Sequence, residues 1–379
     1  MRRLDCPPRL DWTEKVEKWG LTYHTHQGKP YWFESARYEF DSRDVEVLEK
    51  ATNTLSDLCL KAVQHVIDQD RFTELAIPPA AAVAIRQVWE QDPPSLYGRF
   101  DLGYDGDGPP KLFEYNADTP TSLLEAAVVQ WHWLMEASPS SDQFNSIWEG
   151  LVEKWKALKD EQALNGDIVH FAHEPHAEDL MTATVMRDTA VEAGLQTVGL
   201  HMKDIGWNRQ KNTFVDLEDK PIKTIFKLYP WEWMVTEKFG ERALESFNST
   251  QWIEPLWKLI LSNKGILAVL WELNPGHPNL LPAYLGRSRG LKEYVRKPLY
   301  SREGANVTMK ADGTIVRTPG AYGDEGHVFQ DLYKLPDLNG NRPVIGSWVI
   351  DCASRGIGVR ESDGPVTDDF SRFVPHVIV

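Results

Sequence analysis

The stretch from Arg99 to Ser122 constrains this chain more than any other. Arg99-Phe-Asp101 and Phe113-Glu114-Tyr115-Asn116 read as two strands on either side of a turn that carries Gly106, Gly108, Pro109 and Pro110. Alternate side chains on a strand share a face, so Glu114 and Asn116 point together, and a hairpin brings Asp101 beside them. Two carboxylates and an amide gathered there suit Mg²⁺, which takes few protein oxygens and completes its shell with water and phosphate oxygens. Arg99 adds a fixed positive charge where a phosphoryl or carbonyl oxygen turns negative during reaction. The same spacing also suits a solvated acidic hairpin, because it is not specific in itself.

With 379 residues the chain can bury two or three substantial cores. Its formal net charge of −15, with no Lys/Arg-rich stretch, excludes a nucleic-acid partner. Cys6, Cys59 and Cys352 are scattered and form no C-x-x-C pair, which argues against a disulfide scaffold or a thiolate zinc site and for a reducing cytoplasm. The start, Met1-Arg2-Arg3-Leu4-Asp5-Cys6, has no apolar run behind its basic residues, and no window of the chain reads as a membrane span. An unexported protein with no membrane partner is expected.

Apolar residues Leu48, Ala51, Leu55, Leu58, Ala62 and Val66 recur at helical steps, which predicts a helix over 45–69, and a shorter one follows at 80–91. Thr121-Ser122 is expected to cap a helix from Leu123 to Glu136. Helices at 143–164 and 178–193 alternate with strands at 168–172, 196–201 and 222–228, the signature of an α/β unit with a mostly parallel sheet. The run 251–272 again reads as helical. Beyond it, strand-like runs at 295–297, 306–309, 314–317, 327–333, 344–352 and 358–360 predict an antiparallel α+β module. The expected division is 1–140 with the acidic hairpin, 141–250 as the α/β unit and 251–379 as a nucleotide-binding module.

Lys297 closes a predicted strand and is placed as a phosphate clamp, followed by a small-residue turn, Ser301-Arg302-Glu303-Gly304, able to fold over a nucleotide. Viewed alone, the segment is equally a surface hairpin. Lys264 precedes Gly265 and an apolar helix, a setting that accepts anions. Gln330 and Leu332 lie where backbone groups can meet a purine edge, and Arg360 ends another strand. Glu178 and Asp179 either cap their helix or grip a substrate amine. His170, His173 and His176 are not expected to converge on a metal, because Pro175 breaks the helical spacing. Tyr229-Pro-Trp-Glu-Trp233 is either core or a stacking surface.

Taken together, Arg99-x-Asp101, Phe113 to Ser122, Lys227 to Trp233, Ser262-Asn-Lys-Gly265, Lys297-Pro, Ser301 to Gly304, Ile345 to Trp348 and Gly356 to Glu361 resemble the glutathionylspermidine synthetase family of carboxylate-amine ligases. The likeness runs over most of the chain. It implies an ATP-grasp fold, with nucleotide held between an antiparallel module and the hairpin-bearing sheet. It also implies ATP and Mg²⁺ as cofactors, and small-molecule carboxylate and amine substrates joined through an acyl phosphate. By that resemblance Asp101, Glu114 and Asn116 would hold the metal, and Lys264, Lys297 and Arg360 would contact ATP phosphates. Arg99 would stabilise the acyl phosphate and the tetrahedral intermediate, and Thr119 would sit near the acceptor. No amidase domain fits before Arg99, so ligation without hydrolysis is expected. A small-molecule kinase, or a silent ATP-binding protein, is the alternative reading.

Overall fold

Asp41 and Asp44 explain where the longest helix begins. In a computed structural model, which describes residues 1–302, 304–367 and 370–379, the side chain of Asp41 accepts from the Asp44 N–H at 2.8 Å and Asp44 accepts from the Asp41 N–H at 3.1 Å. This reciprocal cap satisfies two otherwise orphaned donors and starts Ser42–Asp68. Leu48, Leu55, Ala62, Val63 and Val66 are fully buried along one face of it. That face lies across Arg342–Ile350 and Ala353–Ser362, where Thr52 and Ser347 share a buried hydroxyl pair at 2.7 Å.

Those strands belong to the central five-stranded antiparallel sheet, ordered Arg372–Val374, Ala353–Ser362, Arg342–Ile350, Tyr97–Gly103 and Lys111–Asn116. The expected hairpin is present at its edge, with Asp101 directly opposite Glu114 and Arg99 opposite Asn116. A second, parallel sheet is ordered Gln251–Ile253, Thr224–Leu228, Ile168–His173 and Gln196–His201, and helix Ala177–Glu192 packs on its last two strands. A third, antiparallel sheet is ordered Ala283–Leu285, His327–Asp331, Tyr294–Pro298, Thr308–Ala311 and Thr314–Arg317. The fold is a mixed α/β arrangement of several sheets. No helix among the described residues is long and apolar enough to cross a membrane.

Three expectations change. The run 251–272 opens with a strand, because Gln251, Trp252 and Ile253 complete the parallel sheet beside Thr224, Ile225 and Phe226. Helices Lys258–Ser262 and Ile266–Leu273 follow, separated at Asn263, whose side chain accepts from the Gly265 N–H. The late strands form two sheets instead of one, since residues 342–374 pair with the hairpin while 283–331 pair among themselves. Ser122 does not cap the next helix. Its backbone is left-handed (φ 65°) and its hydroxyl meets Tyr31, 2.9 Å away.

One buried tie joins the parallel sheet to the hairpin. Glu254, fully buried, accepts from the Leu96 and Tyr97 N–H groups and pairs with Lys258 at 2.5 Å. Lys258 in turn donates to the Tyr97 carbonyl at 2.6 Å. Buried charges persist only where they are paired and hydrogen-bonded in this way.

Candidate active site

Sheet geometry places three oxygen-bearing side chains, Asp101, Glu114 and Asn116, on one face of the hairpin, at the floor of a cleft of about 540 Å³. Arg99 donates from Nε to Asp101 at 2.8 Å and from Nη1 to the Thr121 carbonyl at 2.6 Å. Its stem crosses Gly346, where a Cβ would stand 3.0 Å from the arginine Cδ, so a larger residue there would push the guanidinium aside. Arg360 Nη2 reaches the other oxygen of Asp101 at 2.5 Å. Lys264 stands 3.1 Å from Glu114 and donates to the Ser301 carbonyl at 2.6 Å. The helix Lys258–Ser262 packs on the second hairpin strand, which is what carries Lys264 to this place.

Burial alone would raise the Glu114 carboxyl, but Lys264 and Lys297 outweigh it and hold the group well below its usual range. Burial drives Lys297 down to about 8, and the attraction of Glu114 only partly restores it. Four cations therefore surround two carboxylates, Asp101 and Glu114. Such a cluster is short of negative charge, and an incoming anion would supply it. Asn116 spends its Nδ2 on Glu114 at 3.2 Å, which leaves its Oδ1 as a hard donor beside the two carboxylates. This oxygen-only donor set fits Mg²⁺ that also takes phosphate oxygens. Among the described residues no group of three His, Cys, Asp or Glu is placed to hold a metal.

The other side of the cleft is acidic. Glu174, Glu178, Asp179 and Glu232 line it together with Tyr31, Trp233 and Tyr229. Burial, with Glu178 beside it, pushes the Asp179 carboxyl up to about 6. Glu178 and Asp179 sit in the first turn of Ala177–Glu192, and both also line the cleft. Arg302 crosses between the two sides. It donates to Thr119 Oγ1 at 2.6 Å and to Glu232 at 3.3 Å, with its guanidinium 5.4 Å from the Trp233 ring. The loop behind Thr119 is held by Asp118, which pairs with the fully buried Lys227 at 2.6 Å and accepts from the Trp231 N–H at 2.9 Å.

Residues 3–379 match the family described as glutathionylspermidine synthase preATP-grasp. The chain belongs to that family. It is 39% identical, over 98% of both chains, to a Haemophilus influenzae protein provisionally named an acid–amine ligase. Over 83% of its length it is 29% identical to trypanothione synthetase of Crithidia fasciculata, and over 89% it is 25% identical to the bifunctional glutathionylspermidine synthetase/amidase of Escherichia coli. The chain covers 52% and 58% of these two longer proteins. As a glutathionylspermidine synthase family member it is an enzyme of the class that forms C–N bonds.

Most of the expected site residues meet in this one cleft: Arg99, Asp101, Glu114, Asn116, Thr119, Glu178, Asp179, Lys264, Ser301, Arg302, Gly304 and Arg360. Gly304 has φ 68° and no room for a Cβ, which would lie 2.5 Å from the Thr367 carbonyl. Glu303 lies outside the described residues. Lys297 does not line the cleft. It donates to the Phe113 carbonyl and to Gln330 Oε1, both at 2.8 Å, beside the second hairpin strand, where Gln330 also donates to the Leu112 carbonyl, and its charge still acts on Glu114. Leu332 is likewise absent from the lining.

His170 and His173 stay apart, one paired with Asp216 at 3.4 Å and the other donating to the Glu174 carbonyl at 2.6 Å. Glu125 was overlooked. Its signal was a lone carboxylate inside the apolar run Leu123 to Val129, where an acid has no reason to be unless it is used.

Proposed function

We propose that this enzyme is an ATP-dependent carboxylate–amine ligase of ATP-grasp type, which makes an amide through an acyl phosphate and acts on substrates akin to those of glutathionylspermidine synthesis. The observation that carries the reading is the polarity of the cleft, with Arg99, Lys264 and Arg360 on one side and Glu174, Glu178 and Asp179 on the other. A phosphate-bearing substrate and a protonated amine meet opposite charges at the two ends, and the carboxylate lies between them.

The residues divide the work accordingly. Lys264 and Arg360 attract and orient the phosphates, with Ser301, Arg302 and Gly304 folded beside them, while Lys297 and Gln330 support the second hairpin strand. Asp101, Glu114 and Asn116 would hold Mg²⁺, which when bound neutralises phosphate charge. Arg99, fixed by Asp101 and Thr121, faces the oxygen on which charge grows during phosphoryl transfer and amide formation. That interaction strengthens toward the transition state and lowers the barrier. No protein nucleophile is needed, because the carboxylate attacks the γ-phosphorus and the amine then attacks the activated carbonyl. Thr119 and the acidic side position the amine.

The test is ADP release by purified protein with Mg²⁺ and ATP. Peptides including glutathione, and free amino acids, are crossed with polyamines including spermidine and with hydroxylamine. Release that needs both an acid and an acceptor supports the ligase. Release with one of them alone, to give a stable phosphorylated product, replaces it with a kinase.

A further inference from the structure

Glu125 is 1% exposed, and its Oε1 has no hydrogen-bond partner. An unsatisfied buried carboxyl oxygen costs stability, so its persistence calls for a use. It lies in a π-helical turn, Glu125–Val129, at the head of the helix that follows the Asp118–Ser122 loop. Such turns widen a helix to re-aim one side chain, often at a functional site. Two hydroxyls separate it from the cleft. Tyr31 and Ser122 both line the cleft, lie 2.9 Å from each other, and the Tyr31 hydroxyl interacts with the Glu125 carboxyl.

Resting on the ligase reading above, we propose that Glu125 accepts, through Tyr31 and Ser122, the proton that the ammonium form of the amine substrate must lose before it can attack. Once that proton has left, the nitrogen lone pair bonds to the acyl carbon, the bond from that carbon to the phosphate oxygen breaks, and the departing phosphate carries away the second nitrogen proton. The ammonium proton passes to a cleft-facing hydroxyl. That group's own proton moves on to the Glu125 carboxylate and later returns to solvent. Tyr31 stays neutral throughout, because burial and the neighbouring Glu125 hold its hydroxyl well above the usual range.

The surroundings suit the role. Burial pushes the Glu125 carboxyl up to about 7, with Glu178 adding to the rise and its own backbone N–H and Arg99 opposing it. A base that titrates near working pH combines availability with driving force. Glu125 touches no substrate, so it acts as a relay and positioning group.

Glu125→Gln keeps the shape and removes the base. It is compared with wild type using each acid of the screen above, with spermidine or hydroxylamine as acceptor. Spermidine arrives protonated at neutral pH, whereas hydroxylamine is already neutral. The variant should lose about a hundredfold or more of turnover with spermidine, together with the acidic limb of the pH profile. It should keep hydroxamate formation within roughly fivefold. Tyr31→Phe should act in the same sense.

An equal loss with both acceptors makes Glu125 merely structural, and no loss with spermidine removes it from the reaction; either overturns the proposal. Absence of product from wild type with every pair sinks the ligase reading instead. Infrared difference spectra give a readout without substrate. A protonated-carboxyl band lost between about pH 6 and 8 in wild type should be missing in Glu125→Gln, and a wild type without that band excludes the relay.

Discussion

The two sides of the cleft are built on opposite plans. On the cationic side the charges already have partners: Asp101 is held by Arg99 and Arg360, and Glu114 by Lys264. On the acidic side, among the described residues, Glu178 and Asp179 make no ion pair, and Glu232 has one oxygen on Arg302 and the other without a partner. A pre-paired site keeps its geometry before substrate arrives, so little reorganisation remains for the transition state. A largely unpaired acidic wall does the reverse and gains most of its counter-charge when a cation binds. On the function proposed above, the first arrangement would serve chemistry and the second capture.

Substitutions can break that contrast, and the largest effect belongs to the reacting centre. Arg99→Ala should lower kcat by about two to three orders of magnitude while the KM for ATP moves much less, as should Glu114→Ala at millimolar Mg²⁺. Arg99→Lys should fall between, keeping charge but losing the fork that spans Asp101 and Thr121. If these variants kept kcat and only raised KM, the cationic side would be a binding surface like its counterpart.

Lys297→Met should cost about 1–3 kcal/mol of stability, read as a lower Tm, because the Phe113 carbonyl and Gln330 lose their buried donor. A surface-like clamp lysine would leave Tm unmoved, and that result would return Lys297 to the cleft.

Asp179→Asn should raise the KM for the amine by about tenfold and leave the KM for ATP unchanged. In wild type, amine capture should strengthen as pH rises through about 6, where Asp179 gains its charge, and this dependence should vanish in the variant. Retention of the pH dependence would transfer the role to Glu178 or Glu174.

The hairpin was readable in the sequence because strand alternation is local: Asp101, Glu114 and Asn116 needed only the turn between them to be placed. Lys264 was equally visible, next to a glycine and an apolar helix. The partners of Lys297 were not legible, since its neighbours along the chain do not reveal that its ammonium donates to the Phe113 carbonyl and to Gln330. The strands at 344–352 and 358–360 were recognised as strands but not as the hairpin's neighbours, because pairing across such a distance leaves no periodic trace, and Arg372–Val374 was not recognised at all. Glu125 shows a different failure. Its role depends on Tyr31, far away in sequence, and on a π-turn that apolar periodicity does not register.

The pairing of Asp101 with Gly346 sets a timetable for folding. The hairpin leaves the ribosome early, but the strand that braces Arg99 from the side, and Arg360 on the strand beyond it, are synthesised near the end. Pairings this distant pay their loop-closure entropy before any contact rewards them. The face that carries the proposed site therefore assembles late, and nascent chains spend an interval with the edge of Tyr97–Gly103 uncovered. A stall or truncation upstream of residue 342 would leave a parallel sheet able to form, a hairpin without its neighbour, and an exposed edge open to pairing with another chain.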